Sequence, residues 1–285
     1  MRYRFTGAVV AMTLAAAVSL TVAPTAQQGR GNPPPPAPAG AQGRGPAARL
    51  AQIAGHPNFN GVWQAIGSAH WNLEDHSAAA TPFWQLGAMF AIPAGQSVVV
   101  GGTIPYLPAG LKKREENMKG WPKSDPEAKC YMAGIPRSTY MPYPFQIVQG
   151  QKDILFVYEY ASSNRIVHMD KPSEAPVDSW MGWSNGKWDG NTLVIEVTGN
   201  NDQTWFDRAG NHHSDALKVT ERYTLQGDNH IQYEATIEDP KTFQKPWQIR
   251  MPLYRRMEQN AQLLEYKCVE FSEELLYGDL KKKSE

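Results

Sequence analysis

The sequence predicts a mainly β protein, an antiparallel meander that closes into a barrel or a strongly curled sheet. An irregular, Pro-rich N-terminal stretch wraps around it. Three observations lead there. The 285 residues hold 22 Pro and 24 Gly, which favours turns over long helices. Residues 145–268 carry short β-branched and aromatic runs, each followed by a turn signal. Several of those runs alternate apolar and polar residues, so each strand has one face for a core and one for solvent.

The elements follow in chain order. Arg2 and Arg4 precede an apolar run from Ala8 to Val22, the pattern of a secretory signal peptide over residues 1–26. The run is short against the roughly 20 residues of a membrane span. Cleavage is expected between Ala23 and Gln27; an uncleaved signal anchor is the alternative. Residues 27–50 are mostly Gln, Gly, Pro and Ala with three Arg, with polyproline at Pro33–Pro36. That composition cannot bury enough apolar area to offset ordering, so a disordered spacer is expected. The remainder, 51–285, reads as a single β-rich domain, with 51–140 as the wrap and 141–270 as the meander. No later apolar run is long enough to span a membrane, so a periplasmic or secreted protein is expected. In that setting Cys130 and Cys268 suggest one structural disulfide, with two buried free thiols as the alternative.

Within the wrap, the Pro-free charged stretch 109–118 predicts one short helix. In the meander, 153–160 and 165–169 read as strands around the turn Ser162-Ser163-Asn164. Asn185-Gly186 and Asp189-Gly190 are hairpin signals, and the run NTLVIEVTG follows them. Further strands are expected at 215–225, 230–238, 247–256 and 263–268. On 215–225 one face carries Leu217, Val219, Glu221, Tyr223 and Leu225. The opposite faces of these strands are rich in long polar side chains, as either plain solvent surface or the lining of a polar pocket.

The words DSWMGWSNGKWDGNTLVIEVTGNNDQTWFDRAGNHHSDALKVTERY and YEATIEDPKTFQKPWQIRMPLYRR resemble a large family of exported bacterial proteins. That family is abundant in acidobacteria and also present in proteobacteria. The resemblance continues through IPYLPAGLKKREEN, DPEAKCYMAGIPRSTYMPYPFQIVQ and YEYASSNRIVHMD, and so covers roughly residues 57–280. It implies export and a lipocalin-like β-barrel, and it assigns no catalytic residue.

Composition narrows the function. Lys and Arg total 28 against 28 Asp and Glu, so no surplus positive charge is present to neutralise phosphates and no nucleic-acid partner is expected. There is no GxGxxG after a strand, no GxxxxGK[ST] and no GxSxG, which disfavours nucleotide chemistry and covalent serine hydrolysis. No cofactor is expected.

The densest polar segment is 200–215. In it, His213 is a candidate general base, Asp207 or Asp215 its orienting acid, and Arg208 an electrostatic stabiliser. The alternative is a turn network in which Asn and Asp cap backbone N–H groups. His70, Glu74, Asp75 and His76 form a second cluster, whose spacing matches no strong metal signature. No metal is expected. Glu221 falls on the apolar side of its strand, where a carboxylate needs a partner; Arg222, Arg250, Arg255 and Arg256 are candidates.

Nine Trp are many for one core. They either plug the barrel or line a groove that stacks on sugars or flat apolar ligands. The leading expectation is an exported barrel that binds a small apolar or aromatic molecule through Trp205, Glu221, Trp247, Arg250 and Trp183. The alternative is a cofactor-independent hydrolase, lyase or isomerase using the 200–215 loop. A structural cell-envelope protein is the third reading. The sequence does not give the oligomeric state.

Overall fold

The computed structural model describes residues 50–81, 83, 86–87 and 91–280. The signal peptide and spacer expected over 1–50 fall outside the described residues except for Leu50, and Trp84 also lies outside them.

A minor ladder pairs β1 (Gln52–Ile53) with β2 (His56–Pro57), ahead of the first barrel strand, β3 (Gly61–Ala65). A second minor ladder pairs β4 (Ala79–Ala80) with β5 (Ala91–Ile92). Helix α1 (Pro108–Gly120) begins at a proline, whose missing N–H costs nothing at that position. The single turn α2 (Arg137–Tyr140) leads into β6 (Phe145–Gln149), β7 (Asp153–Tyr158) and β8 (Asn164–His168). Then follow β9 (Trp183–Asp189), β10 (Thr192–Thr198), β11 (Lys218–Leu225), β12 (His230–Glu238) and β13 (Trp247–Arg255). A short helix, α3 (Ser272–Tyr277), lies near the end.

Among the described residues nine strands close a barrel in the order β3, β6, β7, β8, β9, β10, β11, β12, β13 and back to β3. Each neighbouring pair is antiparallel except β8 and β9, which run parallel through Val167↔Ser184 and His168↔Asn185. The expected all-antiparallel order is therefore corrected at one seam. Parallel neighbours need a long connection, and residues 169–182 provide it.

Two further expectations change. Asn185-Gly186 is not a turn but part of β9, because the backbone there passes closely under Met169 and Val167; an added Cβ at Gly186 would sit 2.3 Å from the Met169 sulfur. The hairpin turn is at Asp189-Gly190 alone, with Asp189 opposite Thr192. The strand expected at 263–268 does not form. The free edge of β13 is already taken by β3, which pairs Trp63 with Arg255, so no ladder remains to extend.

Side chains fill the barrel. Trp63, Phe145, Phe156, Tyr158, Tyr223 and Tyr233 are all buried, which is how a small barrel closes its core. Alternation holds along β12, where Ile231, Tyr233, Ala235 and Ile237 point inward. The polar faces point outward as solvent surface, carrying cross-strand ion pairs such as Arg222–Asp189 at 2.8 Å and Lys218–Glu196 at 2.7 Å.

One inward position is ionic. Glu221 is 0% exposed and meets Arg165 of β8 at 2.6 Å. The Tyr223 and Tyr233 hydroxyls each donate to Glu221 at 2.8 Å. The Arg165 guanidinium donates to the Tyr158 hydroxyl at 3.0 Å and to the Ser184 and Tyr223 hydroxyls at 3.2 Å. The arginines expected as partners lie elsewhere: Arg222 and Arg250 are outward, Arg255 stacks over Trp63 and Arg256 pairs with Glu258.

Cys130 and Cys268 form a disulfide, with Cα atoms 5.6 Å apart. It fastens the C-terminal segment to the segment that follows α1.

Candidate functional site

The 200–215 loop is a tight, self-bonded excursion. Trp205 bridges His212, and the Phe206 N–H donates to the Asn211 carbonyl at 2.7 Å. Asp207 organises the turn by accepting from the backbone N–H groups of Ala209 and Asn211 at 3.0 and 3.2 Å and from the Asn211 amide at 2.6 Å. It also accepts from the Leu73 N–H at 2.9 Å, and the Arg208 N–H donates to the His70 carbonyl at 3.0 Å. The loop and the 70–76 segment are thus stitched together through backbone groups. Burial pushes the Asp207 carboxyl up to about 6 against these hydrogen bonds.

The four residues expected to act together each have a separate engagement. His213 is buried; its Nδ1 donates to the Ser214 carbonyl at 2.8 Å, so Nε2 accepts from the Thr204 hydroxyl at 2.6 Å. Burial lowers the pKa of His213, keeping it neutral. Arg208 makes a bidentate pair with Glu127 at 2.9 and 2.5 Å and lies 4.3 Å over the Trp71 ring. Burial pushes the Glu127 carboxyl up, but Arg208 and Arg137 outweigh it and hold it at about 2. Asp215 is exposed and meets Lys241 at 2.7 Å. Among the described residues no hydrogen bond joins His213 to Asp207, Asp215 or Arg208; Arg208 borders a small cavity of about 90 Å³ that Tyr266 and Cys268 help to wall.

His70 and His212 are buried enough to be held neutral. Burial, aided by Arg208, lowers His70 to about 3, and burial with His213 lowers His212 to about 4. Among the described residues no group of three or more His, Cys, Asp or Glu side chains is placed to hold a metal ion.

The expected ligand-contacting residues are also dispersed. Glu221 belongs to the ionic core of the barrel. Arg250 pairs outside with Glu234, with 54% of its side chain exposed, because its strand position is outward. Trp183 stacks on His168 at 4.4 Å and donates to the Ser173 hydroxyl. Trp247 is buried edge-on to Phe206 and Phe243, and borders a groove with Val100 and Lys245.

Trp205 alone of these reaches the best-furnished concavity, a cleft of about 450 Å³ outside the barrel. Helix α1 supplies Lys113 and Glu116, and the segment after it supplies Lys123, Lys129 and Tyr131. The crossover 169–182 supplies Trp180, which packs on Tyr131 at 4.9 Å; the loop supplies Asp202, Gln203 and Trp205. The geometry is held from several sides. The Ser179 N–H donates to the Gly199 carbonyl at 2.8 Å and the Asn201 N–H to the Ser179 carbonyl at 3.0 Å, so the crossover lies along the loop. The Asn117 amide ties α1 to the Gly210 carbonyl at 3.2 Å. Behind the 123–131 segment, Arg137 pairs with Asp125 at 3.0 Å and with Glu127 at 2.5 Å. Gly134 has φ +73°, and its Cα lies so near Thr204 that a Cβ would stand 2.7 Å from the threonine hydroxyl. Only glycine allows that approach at that backbone angle.

Sequence reading singled out the loop and Trp205 but missed Lys113, Lys123, Lys129 and Tyr131. Their shared position depends on tertiary docking of α1 and leaves no local pattern.

No protein-family model matches the chain, and no curated protein matches it.

Proposed function

We propose that this protein is an exported binding protein that takes a small molecule with a flat ring face in the cleft outside its barrel. One observation carries the reading. The cleft, of about 450 Å³, joins three aromatic side chains to a polar rim. Ligand sites of roughly 300–1,000 Å³ commonly combine apolar contact with a few orienting polar groups. The barrel interior is occupied by its own side chains, which favours an external site over a ligand inside the barrel.

Export is part of the proposal, as is membership of the exported bacterial family that the long sequence words resemble. The disulfide supports export, since such bonds persist in oxidising compartments. Among the described residues no helix is long and apolar enough to cross a membrane. Mass spectrometry of protein recovered from the periplasm or medium should show a start between residues 24 and 27. A full-length species retained in the cytoplasm would oppose export.

The site is tested by tryptophan fluorescence during titration with a panel of aryl carboxylates, phenols and soluble sugars. Saturable quenching by at least one of them, lost in Trp180→Ala at an unchanged melting temperature, is expected. Saturable binding that Trp180→Ala leaves intact would place the site elsewhere.

A further inference from the structure

Resting on this reading of the cleft, we infer that its ligand is a carbohydrate, bound with a sugar ring against Trp180 and Tyr131. The aromatic wall by itself suits a sugar or an arene. The polar complement separates them.

Glu116 and Asp202 are acceptor-only groups when ionised, and Lys113, Lys123 and Lys129 are donor-only. Gln203 and Ser124 each offer both roles. None of the three lysines or two carboxylates has an ion-pair partner among the described residues, although several surface pairs form elsewhere on the protein. The cleft therefore holds uncommitted donors and acceptors side by side. A ligand carrying only an anion would use the lysines and leave Glu116 and Asp202 opposed to it. An apolar arene would use neither. A polyol matches both, because every hydroxyl donates once and accepts as well. The apolar face of C–H groups on a pyranose ring then covers indole and phenol surface, as amphipathic aromatic side chains at binding sites allow.

The placement of these groups fits that task. Asp202 and Gln203 stand three and two residues before Trp205 in sequence, so hydrogen-bonding groups and ring come from one short stretch. Lys123 and Lys129 flank the same cleft from the segment that carries Tyr131.

The experiment is isothermal titration of the full mature protein with cello-, malto-, xylo- and chito-oligosaccharides at millimolar concentration, backed by a glycan array. Benzoate and p-cresol are the non-sugar probes. Binding of at least one glycan is expected. Asp202→Asn should weaken it about tenfold, the loss of a hydrogen bond to a charged group. Trp180→Ala should weaken it at least about tenfold, and Trp180→Phe should recover part of the loss. Melting temperatures of all variants report folding, and Asp202 is exposed, so its substitution does not disturb the core. If benzoate or p-cresol binds in a Trp180-dependent way while no glycan does, the carbohydrate inference is overturned and the binding reading stands. If neither glycans nor arenes bind, both are overturned.

Discussion

Breaking the buried pair at the centre of the barrel should be among the most damaging single changes that leave the surface untouched. The perturbations are Arg165→Met, Glu221→Gln and the two together. Both side chains are at most 2% exposed and 2.6 Å apart. Removing one partner strands the other charge without water, which costs about 3–5 kcal/mol. For a domain of this size each kcal/mol moves the melting temperature by about 2–4 °C, so each single variant should melt about 10 °C lower.

Arg165→Met leaves an uncompensated negative charge in the core, and Glu221→Gln an uncompensated positive one. The double variant has no stranded charge and should be more stable than the sum of the singles, by a coupling of about 2 kcal/mol. Urea unfolding followed by circular dichroism measures all three free energies. Single losses below about 1 kcal/mol, or additivity within about 0.5 kcal/mol, would refute the reasoning.

Two other outcomes are expected. Reducing Cys130–Cys268, or replacing both with Ser, frees a loop of 138 residues; the chain-entropy model sets that loss at about 5 kcal/mol. Free-thiol counting in denaturant without reductant should return none, and two reactive thiols per chain would contradict the pairing. Acid should destabilise through His70, whose folded pKa is depressed from 6.5 to about 3. Its contribution is present above pH 6.5 and lost as pH falls toward 3, amounting to about 3 kcal/mol at pH 4. His70→Gln should flatten the stability curve between pH 6.5 and 4, and an unchanged slope would exclude His70 as the cause. Asp207 works in the opposite sense, its raised pKa of about 6 weakening the fold as pH rises from 3.8 through 6.

Much of the barrel was legible because alternation is local. The inward set of β11, including Glu221, follows from side chains pointing to opposite faces, and so does the outward direction of Arg250. Arg165 shares an inward face with Val167 by the same rule, but nothing local in the sequence sets β8 across the barrel from Glu221. Gly61–Ala65 was missed because five residues after a Pro- and Asn-containing stretch carry little strand signal. The misreadings at 185–186 and 263–268 share a cause: local preference is overruled by what the closed sheet leaves unpaired. The candidate site was legible only where it is local, in Asp202 through Trp205. The lysines of α1 and of the 123–131 segment enter it through docking, buried ion pairs and the disulfide, which no periodicity encodes.

Closing a ring of strands that alternate up and down works only for an even count. With nine, parity obliges two neighbours to point the same way, here β8 and β9. A two-residue turn cannot join them, so the chain has to travel back along the outside of the barrel before it re-enters. That return journey, residues 169–182, passes beside Asn200 and sets Trp180 against Tyr131. An eight-stranded ring would have needed no such detour and would have left the cleft without its aromatic wall. The odd strand count, which looks like a defect of closure, is what brings Trp180 to the site.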